Sequence, residues 1–125
     1  MKLRIRGDSL RLRLTRSEVA ALATDGRVQA TMHALGGALR YAVQTRPDAE
    51  LGAELSRDGD ATVVTVTLDR QAVAGWAESD QVGFEGHQDL GDGTKLALLI
   101  EKDFACLVPR GDQDDDAYTN PAASA

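Results

Sequence analysis

Residues 2–14 alternate cationic and aliphatic side chains, and this pattern constrains the fold more than any other stretch of the sequence. Successive side chains of a β-strand point to opposite faces of its sheet, so strict alternation is typical of a strand that is buried on one side. Gly7-Asp8 interrupts the alternation and suits a two-residue turn with glycine at its first central position. The stretch therefore predicts a β-hairpin.

The two faces of this hairpin differ in chemistry. The buried face is predicted to carry Leu3, Ile5, Leu10, Leu12 and Leu14. The other, which we call the cationic face, carries Lys2, Arg4, Arg6, Arg11 and Arg13. In the predicted register Arg4 lies opposite Arg11 and Lys2 lies opposite Arg13. Like charges in such positions destabilise a sheet by up to about 1 kcal/mol per pair. Solvent, carboxylates of neighbouring strands or an anionic ligand can offset this repulsion.

The composition indicates a single domain and limits its location and partners. A chain of 125 residues is long enough to bury a hydrophobic core. No apolar run approaches the roughly 18 residues of a membrane span, and the opening lacks the apolar stretch of a signal peptide. Because the single cysteine, Cys106, cannot form an internal disulfide, a reducing cytoplasm is the expected location.

The charge is distributed unevenly along the chain. The net charge of -6 argues against general nucleic-acid binding. Residues 1–16 nevertheless carry a net charge of +5, so the remainder carries -11. This asymmetry indicates that the hairpin meets acidic groups within the chain, on a partner, or both.

A short helix is predicted after the hairpin. Thr15-Arg16-Ser17-Glu18 has the pattern of a capping box, in which the last residue reaches back to the N-cap. The helix is predicted to bury Val19, Leu22 and Ala23. Gly26 is expected to end it, since glycine is the usual residue beyond a helix C-terminus.

The remaining elements follow from alternation and turn signals. Strands are predicted over residues 27–35, 38–45, 50–57, 61–68, 81–88 and 94–102. Asp58-Gly59 is a strong hairpin turn between two of them, and Asp69 caps a second helix that buries Val73 and Trp76. From Pro109 the chain becomes acidic, then small and polar. We therefore expect a globular domain over residues 1–110 and a flexible tail over residues 111–125.

A spacing of 54 residues relates the first half of the chain to the second. The matched pairs are Leu14 with Leu68, Val19 with Val73, Leu22 with Trp76, Val28 with Val82, Ala30 with Phe84 and His33 with His87. Matching caps and following hairpins favour a duplication over coincidence, with repeats at about residues 1–46 and 49–108. The predicted fold is α+β, a duplicated strand–strand–helix–strand–strand unit in a mainly antiparallel, barrel-like sheet.

Closure into a barrel would place the polar faces of the strands inside it. With a turn at Asp58-Gly59, Glu50 and Glu54 share one polar face. Their predicted partners across the hairpin are Thr67 and Val63, respectively. The cationic face would then look across at the two glutamates. Weaker candidates on nearby strands are Arg40, Glu85, Lys95 and Glu101. An open sheet would leave the same residues on a wet surface.

The sequence resembles a bacterial family of unknown function. The resemblance is carried by residues 1–14 (MKLRIRGDSLRLRL), Ser17-Glu18-Val19, Trp76-Ala77, Asp80-Gln81-Val82-Gly83, residues 101–107 (EKDFACL) and residues 116–121 (DAYTNP). These stretches are spread over nearly the whole chain. The resemblance implies a domain of about this length and brings no known activity.

In architecture alone, the chain is also similar to the triphosphate-tunnel (CYTH-like) enzymes. These have an antiparallel barrel of two related halves, with Arg and Lys lining a tunnel and glutamates holding a divalent metal. Their opening strand reads Glu-x-Glu-x-Lys, whereas this chain has Lys2-Leu3-Arg4-Ile5-Arg6 at that place. The similarity implies phosphate-clamping arginines and magnesium-binding glutamates, for which the candidates are Arg4, Arg11, Arg13, Glu50 and Glu54.

The sequence favours a non-enzymatic binding module over two alternatives. Its ligand would be a phosphate-rich anion or an acidic peptide on the cationic face, with no catalytic residue, cofactor or membrane contact. One alternative is a magnesium-dependent triphosphate or phosphoester hydrolase, and the other is a protein-interaction domain without a small ligand. His33, His87 and Cys106 lack zinc-ligand spacing and are expected to be polar strand histidines and a buried thiol.

The acidic run Asp112, Asp114, Asp115 and Asp116 carries the opposite charge to the cationic face. A tethered segment has an effective concentration of about millimolar, so even a weak contact with that face would be populated. We expect truncation after Arg110 to tighten binding of tripolyphosphate at low salt, with a difference that shrinks as salt rises. Titration of both chains at low and high ionic strength measures this. Equal affinities at low salt would identify the tail as a solubilising segment.

Overall fold

The computed structural model of the protein describes residues 1–104. Within them the chain forms β1 (Lys2–Ile5), β2 (Ser9–Leu14), α1 (Arg16–Asp25), β3 (Arg27–Ala34), β4 (Gly37–Arg46), β5 (Gly52–Asp58), β6 (Ala61–Asp69), α2 (Arg70–Ala77), β7 (Gly83–Asp89) and β8 (Lys95–Lys102). The order of strands and helices agrees with the predicted one. Cys106 and the predicted tail over residues 111–125 lie outside the described residues.

The strands form two four-stranded sheets. Sheet A has the order β1-β2-β8-β7, and sheet B has the order β5-β6-β4-β3. The outer pairs of each sheet are antiparallel, whereas the central pairs, β2 with β8 and β4 with β6, are parallel. Between residues 1 and 104 no ladder joins the sheets, so the predicted barrel-like closure is wrong. Where β5 approaches β7, the Ala53 N–H donates to the Gln88 side chain at 2.9 Å, and this side-chain contact takes the place of a backbone ladder.

The two halves of the chain are arranged as equivalent units, in agreement with the predicted duplication. The first half runs β1-β2-α1-β3-β4 and the second runs β5-β6-α2-β7-β8. Each sheet takes a hairpin from either half, and the two sheets have the same order of equivalent strands. The helices α1 and α2 contact each other. The halves are therefore interleaved and do not form separate lobes.

The predicted alignment of the halves is wrong after the helices. Val28 lies opposite Val43, and Phe84 lies opposite Ile100, so Phe84 is the counterpart of Val28, at a spacing of 56 residues. The reason is the connection before each strand, because Gly26 alone follows α1 whereas residues 78–82 follow α2. His33 and His87 consequently do not occupy equivalent positions. They are exposed on edge strands of different sheets.

The capping box at the start of α1 is confirmed. The Thr15 hydroxyl accepts from the Glu18 N–H at 3.3 Å, and Glu18 Oε1 accepts from the Thr15 N–H at 2.8 Å. Glu18 Oε2 also lies 2.7 Å from the amino group of Met1. Partial burial raises the pKa of Glu18, but hydrogen bonds from the amino group and from Thr15 outweigh it and hold the pKa below its ordinary value.

Helix α1 buries Val19 and Leu22 and ends at Gly26, whose φ of 81° is left-handed. Ala23, in contrast, is exposed, so its predicted burial is wrong. A rotation of about 100° per residue carries Ala23 from Leu22 to the edge of the buried stripe, where no neighbour covers it. Helix α2 begins at its predicted cap, Asp69, which accepts from a backbone N–H of the first turn at 3.0 Å.

The hairpin of β5 and β6 keeps the predicted faces but not the predicted register. Glu54 lies opposite Thr65, and Gly52 lies opposite Thr67. The turn consists of residues 59–60, one position later than expected, and this shifts the pairing by two residues. Because side chains alternate with a period of two, such a shift leaves every side chain on its predicted face. Glu50 precedes β5 and therefore has no partner across the hairpin.

A single hydrophobic cluster contains side chains from both sheets and both helices. Its buried members are Leu10, Leu12, Leu14, Leu98 and Ile100 of sheet A, Val43, Val64, Val66 and Leu68 of sheet B, and Val19, Leu22, Val73 and Trp76 of the helices. Strand alternation turns the polar faces of both sheets away from this cluster. The predicted polar interior is therefore wrong, and the cationic face does not look across at Glu54. Neither helix of the described residues has the length and hydropathy that a membrane crossing requires.

Gly83 tests how tightly β7 packs on β8. A Cβ atom at this position would overlap the carbonyl oxygen of Ile100 and lie 2.7 Å from Glu101 Cα. We expect Gly83→Ala to lower the free energy of unfolding by about 1–3 kcal/mol, as overpacking does. In Gly75→Ala the new methyl group in α2 meets nothing within 4 Å, and helix propensity should raise stability by about 0.5–1 kcal/mol. Urea denaturation measures both variants, and a loss no greater in Gly83→Ala than in Gly75→Ala would contradict this packing.

Candidate anion-binding face

The hairpin of β1 and β2 forms one edge of sheet A and carries the cationic face. The predicted register is confirmed, since Arg4 lies opposite Arg11 and Lys2 lies opposite Arg13. These four side chains line one cavity of about 160 Å³. Arg6 lies beyond the end of β1, is exposed, and does not line the cavity. The structure thus brings together four of the five predicted ligand-binding residues.

Glu101 contacts the cationic face from the other half of the chain. The parallel pairing of β2 with β8 places it directly opposite Arg13. Its Oε1 atom accepts hydrogen bonds from Nε of Arg11 at 2.8 Å and from Nε of Arg13 at 2.7 Å. Nη2 of Arg11 lies 2.6 Å from the same oxygen. Because Glu101 is only 9% exposed, its carboxylate offsets the like-charge repulsion from within the sheet.

A second carboxylate meets the outer strand of the hairpin. Lys2 Nζ lies 3.3 Å from Oδ2 of Asp103. Asp103 follows β8, and its backbone N–H donates to the Leu14 carbonyl oxygen at 2.8 Å. The Lys2 side chain is 69% exposed, so this pair contributes at most about 1 kcal/mol. Sequence reasoning missed Asp103, because its position depends on a parallel pairing that no local signal indicates.

The cationic face keeps a surplus of positive charge. Its five cations contact two carboxylates in the described part of the chain, Glu101 and Asp103, and this leaves three formal positive charges in excess. Arg4 and Arg6 make no ion pair or side-chain hydrogen bond within residues 1–104. Guanidinium groups bind phosphate and carboxylate oxygens in pairs, so Arg4 offers an anion a complete set of donors.

The carboxylates that were predicted as metal ligands lie near sheet B. Glu54 is on β5, Glu50 precedes that strand, and both are exposed. Across the described positions 1–104, no group of three or more His, Cys, Asp or Glu side chains could hold a metal ion. A magnesium site at Glu50 and Glu54 therefore stays a prediction, with no third protein ligand beside it in that part of the chain.

The fold and this face define a two-sheet α+β protein with an arginine-rich edge hairpin. A family model described as "Family of unknown function (DUF7009)" matches residues 1–122, and the chain belongs to this family. The expected membership of a family of unknown function is thereby confirmed. Comparison with curated proteins and comparison with solved structures each gave no match.

Glu101→Gln removes the charge that Arg11 and Arg13 share. Both arginine side chains are at least two-thirds buried, so we expect the free energy of unfolding to fall by about 1–3 kcal/mol at neutral pH. The matched control is Asp58→Asn, which breaks the 2.8 Å pair with Arg40 where the Asp58 side chain is 70% exposed. It should lose less than about 1 kcal/mol. Urea denaturation measures both, and equal losses would show that Glu101 has no special stabilising role.

Proposed function

We propose that the protein is a non-enzymatic binding module whose cationic face holds a phosphate-rich anion or an acidic peptide. The observation that supports this function is the cavity lined by Lys2, Arg4, Arg11 and Arg13. The carboxylates that contact the face leave three positive charges in excess. A cytoplasmic location, expected from the single cysteine, is part of the proposal.

The size of the cavity favours a charged group over a whole organic molecule. Its volume of about 160 Å³ is below the roughly 300–1,000 Å³ of pockets that enclose drug-sized ligands. Arginine guanidinium groups are well suited to phosphoryl and carboxylate oxygens because their donors form a planar fork. The ligand therefore places one or a few anionic groups in the cavity and leaves its remainder outside.

An incoming anion must compete with Glu101. One oxygen of that carboxylate already accepts hydrogen bonds from Arg11 and Arg13. An arginine has five N–H donors, so each of the two retains donors beyond those bonds. The negative charge of Glu101 nevertheless lowers the potential at the cavity. Glu101 thus limits the affinity for anions while it stabilises the fold.

We do not propose the hydrolase or the interaction domain in preference to this function. The hydrolase requires a metal beside the phosphate clamp, and Glu54 lies on a different sheet from Arg4 and Arg11. A protein-interaction domain without a small ligand would not need surplus charge concentrated around one small cavity. Dependence on magnesium separates the hydrolase from the other two functions.

Two substitutions at the cationic face should change affinity in opposite directions. Arg4→Gln should weaken binding of tripolyphosphate, because it removes donors that have no competing partner among the described residues. Glu101→Gln should strengthen binding, because it removes the competing charge. Each effect should be about tenfold, equivalent to one charge-assisted hydrogen bond of roughly 1.5 kcal/mol. Isothermal titration at low salt measures both affinities.

The matched control is Arg57→Gln, which removes the same charge from an exposed side chain on β5 of sheet B. It should leave the affinity for tripolyphosphate unchanged. Thermal melts extend the test to sulfate and nucleotides, since a ligand at about 100 times its Kd adds roughly 2.7 kcal/mol of stability. Absence of any shift at low salt would rule out anion binding. A shift that requires Mg²⁺ would favour the hydrolase.

A further inference from the structure

The polar face of sheet B contains a second cavity, about 320 Å³ in volume. Its lining combines three arginines with two carboxylates, one amide and several hydroxyl groups, including Arg27, Arg40, Arg46, Glu54, Asp58 and Gln44. We call it the second cavity. Its volume lies at the lower end of the range for pockets that enclose small organic ligands. The polar lining therefore indicates a hydrophilic ligand that is larger than a single phosphate.

The second cavity is the counterpart of the cavity on the cationic face. Arg13 lies opposite Glu101 in sheet A, and 54 residues later Thr67 lies opposite Gln44 in sheet B. Arg4 lies opposite Arg11, and correspondingly Glu54 lies opposite Thr65. Equivalent backbone positions thus line both cavities. The side chains differ, so the ligand chemistry must differ as well.

Charges of both signs in the second cavity lack compensation within the chain. Arg27 donates to the neutral side-chain amides of Gln29 and Gln44, both at 3.2 Å, and therefore keeps its full charge. Arg46 makes no ion pair with any residue from 1 to 104, and the same holds for Glu54. A ligand that complements these groups carries charges of both signs.

The two kinds of charge lie at different places in the cavity. Arg27 is on β3, the edge strand of sheet B, and Arg46 ends the adjacent strand β4. Glu54 is on β5, at the opposite edge of the same sheet. The backbones of β3 and β5 are three strand intervals apart, or roughly 14 Å. Arginine side chains reach inward across part of this width, as Arg27 does towards Gln44.

Arg40 supplies a further donor to the second cavity. Its Nη1 donates to Asp58 Oδ2 at 2.8 Å, so this arginine is already charge-compensated. Its Nε, however, is buried and has no hydrogen-bond partner among the described residues. A buried donor without a partner is uncommon in folded proteins and carries a desolvation penalty. A small rearrangement of Arg40 on ligand binding would satisfy it.

We propose that the second cavity binds a small zwitterion, with a carboxylate or phosphate held by Arg27 and Arg46 and an ammonium group held by Glu54. The hydroxyls of Thr65 and Ser56 lie beside Glu54 on the same face and serve the polar atoms between the two charges. This site is independent of the anion-binding function of the cationic face. It assigns the two polar faces of the protein to two different classes of ligand.

Amide shift mapping by ¹⁵N NMR tests this proposal, with glycylglycine and phosphoethanolamine as zwitterionic probes. Acetate and inorganic phosphate are the matched anions without an ammonium group. We expect both zwitterions to shift the backbone amides of Thr65 and Thr67 saturably and to bind more tightly than the matched anions. Glu54→Gln should weaken glycylglycine by about tenfold and leave acetate unchanged, because only the ammonium contact is lost.

The control variant is Glu85→Gln, an exposed carboxylate on β7 of sheet A, which should not affect either probe. Glu54 is exposed, so its substitution leaves the hydrophobic cluster intact. The proposal is overturned if no probe gives saturable shifts at Thr65 and Thr67, or if the shifts fall only on the cationic face. Equal binding of acetate and glycylglycine that Glu54→Gln does not change would also overturn it.

Discussion

Two parallel strand pairs join the halves of the chain, and the rest of the structure depends on them. β2 pairs with β8 over six residues, and β4 pairs with β6 over nine. Without these ladders each half would offer only two-stranded hairpins, which are marginally stable in water. Parallel pairing requires a crossover between the strands, so both ladders unite residues that are distant in sequence. Each sheet, and with it the shared hydrophobic cluster, is complete only when both halves contribute.

The same ladders make the charge pattern of the first hairpin compatible with folding. Arg4 and Arg11 face each other, and the hairpin has no carboxylate of its own on that face to separate its cations. The register of β8 supplies one, because it places Glu101 between Arg11 and Arg13. On the far side of Glu101, β7 begins with Gly83, where any side chain would overlap the backbone of β8. The cationic face is therefore a product of both halves, although all its cations come from the first.

Features governed by neighbouring residues could be predicted from the sequence. The register of the first hairpin follows from alternation around Gly7-Asp8, and the start of α1 follows from the capping box at Thr15. Features that depend on distant pairing could not. Nothing local indicates that β2 lies beside β8, so the contact of Glu101 with the arginines was only a weak candidate and that of Asp103 was missed. The barrel-like closure failed for the same reason, since it assumed that polar faces turn inward, whereas the aliphatic faces pack together.

The duplication separates the residues that determine the fold from those that determine ligand chemistry. Inward-facing positions keep aliphatic side chains in both halves, as Leu12 and Val66 show, because both contribute to one hydrophobic cluster. Outward-facing positions make no contribution to that cluster, so they can change without loss of the fold. They have diverged from arginine and glutamate to glutamate, threonine and glutamine, in the pairs Arg4 and Glu54, Arg13 and Thr67, and Glu101 and Gln44. One backbone arrangement, used twice, thus presents an excess of positive charge on sheet A and charges of both signs on sheet B.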